Sequence, residues 1–361
     1  MLLKRGTGLR IKLNHIIIII LVCFFLPYFS SAQLKEKKFK VHTIAFYNVE
    51  NLFDTINNPN TFDDDRTPEG KDRWTKKNYL DKIDKLSGVI SNIGAEISKN
   101  APAIVGLAEI ENRQVIEDLI AHPNLSKWDY GIVHFNSRDA RGIDVALIYR
   151  RNVFNILSFN KHELHIVDSQ TNLRQYTRDQ LVVTGILEGD EVSFIVNHWP
   201  SRRGGTARSG YKREAAAYLT KRLIDSISNI TTKPKILIMG DFNDDPNNKS
   251  INKVLRANEK IKPTDSIGLY NPMMRMFKKG LGTLAYRDNW NLFDQFLVSP
   301  QLLDITNKGF RYWKAGIYNP DYLVAKEGKY KGYPLRAYSN GVYAGGFSDH
   351  FPVYVYLIKE L

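Results

Sequence analysis

Several apolar runs in this chain are too short for helices and stop abruptly at a carboxylate, an amide or an imidazole. The sharpest is Ile236-Leu237-Ile238-Met239-Gly240, followed at once by Asp241-Phe242-Asn243. A short apolar run that ends in turn-forming residues reads as a buried strand, covered on both faces. Such strands restrict the chain to layered folds in which sheets are sandwiched between other layers. Val41–Asn48, Ala103–Leu107, Lys235–Met239, Phe293–Val298 and Phe351–Leu357 have this character. Ile132–His134 with Val145–Tyr149, and Leu181–Leu187 with Val192–Asn197, read as strand pairs, the second turned at Glu188-Gly189-Asp190. Between them, Leu80, Ile83, Leu86, Val89, Ile90, Ile93 and Ile97 recur at helical spacing within 78–97, a second helix begins at Val115–Ile120, and Arg213–Ile227 reads as a third. Hairpins mixed with strand–helix alternation predict an α/β sandwich of mixed sheets covered by helices.

The first 32 residues differ from the rest. Lys4, Arg5, Arg10 and Lys12 precede the apolar run Ile16–Leu26, and Ser30-Ser31-Ala32 offers small residues before Gln33. This is the layout of a secretory signal peptide, with 33–361 as the catalytic domain. The competing reading is an uncleaved anchor, which the short apolar run disfavours. A lipid anchor on Cys23 is disfavoured by the residues before it. The expected location is periplasmic or extracellular. Cys23 is the single cysteine, so the mature chain has no thiol chemistry and any metal is held by oxygen or imidazole. Without the leader, +9 of the +13 formal charge remains, which suits an anionic partner.

The polar strand ends carry the chemistry. In extended backbone, Asp241 and Asn243 would face one side, at the sheet edge where α/β folds bind ligands; a plain turn is the bland alternative. Glu109 follows a buried strand, and an isolated buried carboxylate needs a cation or donors. Its hard oxygens suit Mg²⁺, with Mn²⁺ or Ca²⁺ as substitutes, unless it merely caps the next helix. Ser348-Asp349-His350 precedes the last strand and suits acid/base or phosphate-contact work. His198, with Ser201, Arg202, Arg203, Gly204 and Gly205, could cradle a phosphate, although the two arginines alone fit a solvated loop. Asp294 opens the apolar strand that follows Asn289-Trp290.

Taken in order, Asn48, Glu109, His198, Gly240-Asp241-Phe242-Asn243, Asp294 and Ser348-Asp349-His350 resemble the endonuclease/exonuclease/phosphatase superfamily, from about Phe46 to the C-terminus. The phrases Asn48–Asp54, Arg141–Leu147 and Asn197–Ser201 look most like its exported bacterial members, often labelled extracellular nucleases. The resemblance implies a four-layer sandwich, two mixed sheets face to face with helices outside. It implies Mg²⁺ on Glu109, helped by Asn48 and Asp349. Asp241 would orient or deprotonate the attacking water, and Asn243 would fix the phosphate. His350, oriented by Asp294, would contact phosphoryl oxygens, and His198 would donate to phosphate or leaving group. Histidine at position 198 matches the deoxyribonuclease branch; the abasic-site branch usually has tyrosine. We pair His198 with Asp144.

The expected substrate is DNA or RNA. A lipid headgroup or small phosphate ester is the alternative, and a non-catalytic binding module is disfavoured because each expected position carries the right residue type. A stable protein partner and a membrane span in the mature chain are not implied, and a monomer is expected. The loop 57–73 and the Tyr-rich segment 312–343 are left without a role.

Overall fold

The computed structural model describes residues 37–361 except 169, 170, 262–267 and 340, so the signal peptide expected at 1–32 lies outside the described residues. Phe39–Leu361 forms one unit. Its larger strands are β1 (Phe39–Leu52), β2 (Ile104–Ile110), β3 (Tyr130–His134), β4 (Asp144–Arg150), β5 (Phe154–His162), the short pair β6 (Ile166–Val167) and β7 (Arg174–Gln175), then β8 (Gln180–Leu187), β9 (Asp190–His198) and β10 (Ile236–Asp241). They continue as β11 (Ala257–Asn258), β12 (Leu269–Tyr270), the hairpin β13 (Leu284–Tyr286) and β14 (Asn289–Asn291), β15 (Asp294–Val298), β16 (Arg311–Ile317), the pair β17 (Tyr338–Ser339) and β18 (Val342–Tyr343), and β19 (Val353–Glu360).

Two large mixed sheets result. One runs β16-β19-β1-β2-β4-β3 and the other β11-β12-β15-β10-β9-β8-β5. Strand alternation assigns each side chain to a layer. Phe46 of β1, Met239 of β10, Phe296 of β15 and Val355 of β19 fill the space between the sheets. Their chain neighbours face outward. Ala45 and Tyr47 meet Ile83, Leu86 and Ile90 of the helix Lys76–Asn92, while Ile238 and Leu297 meet Ala216, Ala217 and Leu223 of the helix Thr206–Ile230. Helix, sheet, sheet, helix is the expected four-layer sandwich.

The helix expected over 78–97 stops sooner. Thr75 caps its start by accepting from Asn78 N, and Gly94 enters the left-handed region (φ +69°) before a separate turn, Ala95–Ser98. The third helix begins at Thr206, seven residues ahead of Arg213. The reading of the sequence left out β5 and β16, and both are sheet edges. Edge strands expose a face, so β5 alternates weakly and β16 lies inside the Tyr-rich segment. Among the described residues, no helix is long and apolar enough to cross a membrane.

Candidate active site

The two sheets bring the same kind of strand end to one place. β1 and β2 run parallel, and so do β9 and β10, so Asn48 and Glu109 on one sheet end beside His198 and Asp241 on the other. Within the second sheet, Asp241 pairs in register with His198 on one side and Asp294 on the other. Gly240 is required by this approach, because a Cβ there would meet Asn197 O at 2.4 Å.

Glu109 does not follow its strand; it bulges within it. The pairing shifts between Ala108 and Ile110, and Glu109 sits at φ +64°. A bulge re-aims a side chain, here from the sheet face toward the neighbouring sheet's end. Glu109 Oε2 accepts from Asn51 N at 2.9 Å. Its Oε1 lies 3.4 Å from Asn48 Nδ2 and 3.9 Å from His198 Nε2. Helix capping falls instead to Asn112, which accepts from Val115 N. Asp241 Oδ2 lies 3.1 Å from Asn48 Nδ2 and 3.5 Å from His198 Nε2. His350 Nδ1 donates to Asp294 Oδ2 at 2.7 Å, deep in the fold. Six of the residues singled out by sequence thus share one site.

Other assignments need correction. Asp144 does not pair with His198. It lies 3.1 Å from His134 Nε2 and accepts from Ser137 N, because β4 and β3 are neighbours at the far side of their sheet. Among the described residues, His198 Nδ1 has no hydrogen-bond partner. Asn48 turns its amide nitrogen toward Glu109 and Asp241, and its oxygen accepts from Glu50 N. Asp349 pairs with Arg336 at 3.2 Å, and its other oxygen lies 4.0 Å from His350 Nε2. Arg202 braces the loop: it donates to Asn243 O, pairs with Asp245 at 3.0 Å and lies over the Phe293 ring. Arg203 and Ser201 are exposed. Asn243 adopts φ +49°, which breaks the same-side argument, and its amide donates to Trp199 O.

The sequence reading noted Glu50 only as an acid at the end of the first strand and passed over Lys82 and Arg336. Glu50 is buried, accepts from Arg336 at 2.9 Å and from Ala337 N, and lies under Lys82, whose ammonium donates to Glu50 O. One signal was available: Lys82 stands on the apolar stripe of its helix with Tyr79, Ile83 and Leu86, where a lysine needs a partner.

Electrostatics separate the two histidines. Burial holds His198 well below the ordinary range, and Arg178 and Arg141 push it further, so it is neutral. Burial also opposes the charge on His350, but Asp294, Asp349 and Asp241 overcome it and raise it well above that range. Burial pushes Asp241 up to about 7, with Asp294 and Glu109 adding to the push against His350.

Donor atoms of Asp241, Asp294 and His350 lie within 4.8 Å of one another. The bond between Asp294 and His350 already joins two of them; Glu109 stands outside this group and meets Asp241 through Asn48 and His198, which approach both acids. Carboxylates gathered in a buried cluster disfavour one another's charge, and a hard divalent cation relieves this, so the donor set fits such an ion.

This carries a prediction. Burial, the leading cause in each case, lifts Asp241 and Glu50 to about 7 and Glu111 to about 8. Raised carboxyls stabilise the fold when protonated, fully so below their ordinary values, and the benefit is lost as pH climbs to about 8. His350 acts in the same direction, and His198 acts against it. Melting of the metal-free protein, followed in EDTA by scanning fluorimetry, should fall between about pH 5.5 and pH 8, and Mg²⁺ should reverse most of the fall. A melting temperature that rises across this interval in EDTA would contradict the assignment.

A layered α/β sandwich with acids, an amide and an Asp-oriented histidine at its sheet ends defines a phosphoesterase-type protein. The Endonuclease/Exonuclease/phosphatase family model matches residues 43–359, and the chain belongs to that family. Solved structures similar to it include the endonuclease/exonuclease/phosphatase of Bacteroides vulgatus (14% identity, TM-score 0.51, covering 88% of this chain and 98% of that one). Others are D. rerio TDP2 complexed with a single strand DNA product (13%, 0.50, 88% and 98%) and a Bacteroides thetaiotaomicron mannosyl-6-phosphatase (17%, 0.50, 88% and 99%). No curated protein matches the sequence.

Proposed function

We propose that the protein is an exported, Mg²⁺-dependent phosphodiester hydrolase that acts on nucleic acid. The observation that carries this reading is the convergence of Glu109, His198, Asp241, Asp294 and His350, from two sheets, on one space. Glu109 and Asp241 would hold the cation, which supplies charge stabilisation to the phosphoryl oxygens when bound. Asp241 would also orient or deprotonate the attacking water. Asp294 fixes His350 with Nδ1–H toward itself, so Nε2–H faces the phosphate as a cationic donor. His198, neutral, donates a single hydrogen bond and does not add charge. Export rests on the basic-then-apolar leader, and nucleic acid on the +9 charge outside it.

A family fold hosts many substrates, and its relatives here include a protein holding DNA and a sugar phosphatase, so the fold does not choose. A panel decides. The purified protein should degrade plasmid and single-stranded oligonucleotides with Mg²⁺ or Mn²⁺ and lose that activity in EDTA. Affinity for the oligonucleotide should drop steeply with salt, by about tenfold or more between 50 and 200 mM for several phosphate contacts. Release of phosphate from small monoesters, with nucleic acid left intact, would replace the nuclease reading.

A further inference from the structure

A cavity of about 390 Å³ adjoins the site on the His350 side. Its inner wall is Arg336 and Asp349, the residues that separate Glu50 from His350. Its outer walls are the β13–β14 hairpin and the segment 329–336, which places Tyr286, Arg287, Lys329 and Tyr330 around it. The hairpin is held firmly. Trp290 stacks on Phe351, the residue after His350, and Phe351 N donates to Thr283 O. Asp288 N donates to the Tyr333 hydroxyl, which donates back to Asp288 Oδ1 at 2.6 Å. Arg287 and Asp288 both take left-handed backbone (φ +50° and +62°) without being glycine. That conformation is what the two-residue turn between β13 and β14 requires at both positions.

The chemistry of the walls selects an occupant. Tyr286 is 64% exposed and lines the cavity. Arg287 lies over the Tyr286 ring at 5.2 Å and Lys329 over the Tyr330 ring at 5.7 Å, and neither cation has an ion-pair partner among the described residues. Aromatic rings with unpaired cations against them match a planar uncharged group on an anionic linker. A sugar would also lie on an aromatic face, and Asp288 and Asp349 each keep a carboxylate oxygen to accept from its hydroxyls; the unpaired Arg287 and Lys329 favour the more anionic occupant. Bases in a duplex are stacked and cannot enter.

We infer that this cavity is a subsite for one nucleotide unit of a single strand. Its base stacks on Tyr286 and Tyr330, and its phosphates meet Arg287 and Lys329. This rests on the nuclease reading for the reaction but stands on its own binding chemistry. The test uses the whole protein in EDTA, with fluorescence anisotropy of a labelled single-stranded oligothymidylate and of an abasic oligonucleotide of equal length. The intact strand should bind about tenfold more tightly than the abasic one. Tyr286→Ala with Tyr330→Ala should abolish the difference at an unchanged melting temperature. The corresponding Phe substitutions should keep it, and Arg287→Ala should weaken both probes alike. Equal binding of the two probes to the wild type, discrimination that survives both Ala substitutions, or displacement of the strand by a hexose 6-phosphate more readily than by thymidine 5′-monophosphate would overturn the subsite. Hydrolysis of the same strand with Mg²⁺ is scored separately. Base discrimination without hydrolysis removes the nuclease reading and leaves the subsite. Hydrolysis without discrimination does the reverse.

Discussion

His350→Ala should lower kcat by about a hundredfold or more in the folded protein, and it should also lower the melting temperature, because it leaves the buried Asp294 carboxylate without a partner. The side chain is buried but aimed at the site, and its Nδ1 is tied to Asp294 at 2.7 Å. Three carboxylates keep it cationic, so removal takes a full positive charge from beside the phosphoryl oxygens. Asp294→Asn preserves volume and removes what selects the tautomer. Asp294 is fully buried, and its backbone N–H donates to Thr283 Oγ1. Its loss should approach that of His350→Ala, and the double variant should be no worse than the single, because the pair acts as a unit. His198→Ala should cost less, since that imidazole is neutral. Steady-state kinetics with melting curves for the three single variants and the double check this. A near-wild-type kcat in folded His350→Ala would remove it from the site, and strict additivity would dissolve the pair.

Glu109→Gln should reduce kcat/KM by about a thousandfold at fixed Mg²⁺, the several kcal/mol associated with a Lewis-acid ion. The amide still accepts from Asn51 N, so the bulged backbone at φ +64° is kept. It carries no charge, and it no longer repels Asp241. Two results should therefore appear together. The metal-free variant should melt at the same temperature as wild type or higher, and Mg²⁺ should no longer raise it. Titration of the melting temperature with Mg²⁺ reads both without any substrate. A variant that keeps its Mg²⁺ response would move the ion's principal ligand to Asp241 or Glu50.

The class of fold was legible because burial leaves a local trace. A strand covered on both faces is apolar throughout, as at Ile236–Met239, and a helix with one covered side repeats its apolar residues, as in Lys76–Asn92. The edges β5 and β16 leave no such trace, and they were missed. The site was legible in part because strands that terminate in Asp, Glu, Asn or His are unusual enough to stand out one at a time. Only the tertiary structure decided who faces whom. Asp144 belongs to His134 because β3 and β4 are neighbours, while His198 lies on the other sheet. Arg202 turns inward to the Asp244–Asp245 corner although the same residues in a free loop would face solvent. The loop 57–73 and the Tyr-rich segment, two stretches without a role in sequence, meet where the Tyr338 hydroxyl donates to Asp72 O. The same segment supplies Arg336 to Glu50 across 286 residues. Periodicity records only whether a residue is covered, and sheet order determines by what. For buried charges the identity of that partner decides the direction of the pKa shift: three carboxylates raise His350 against its burial, while His198, buried with Arg178 and Arg141 nearby, is lowered.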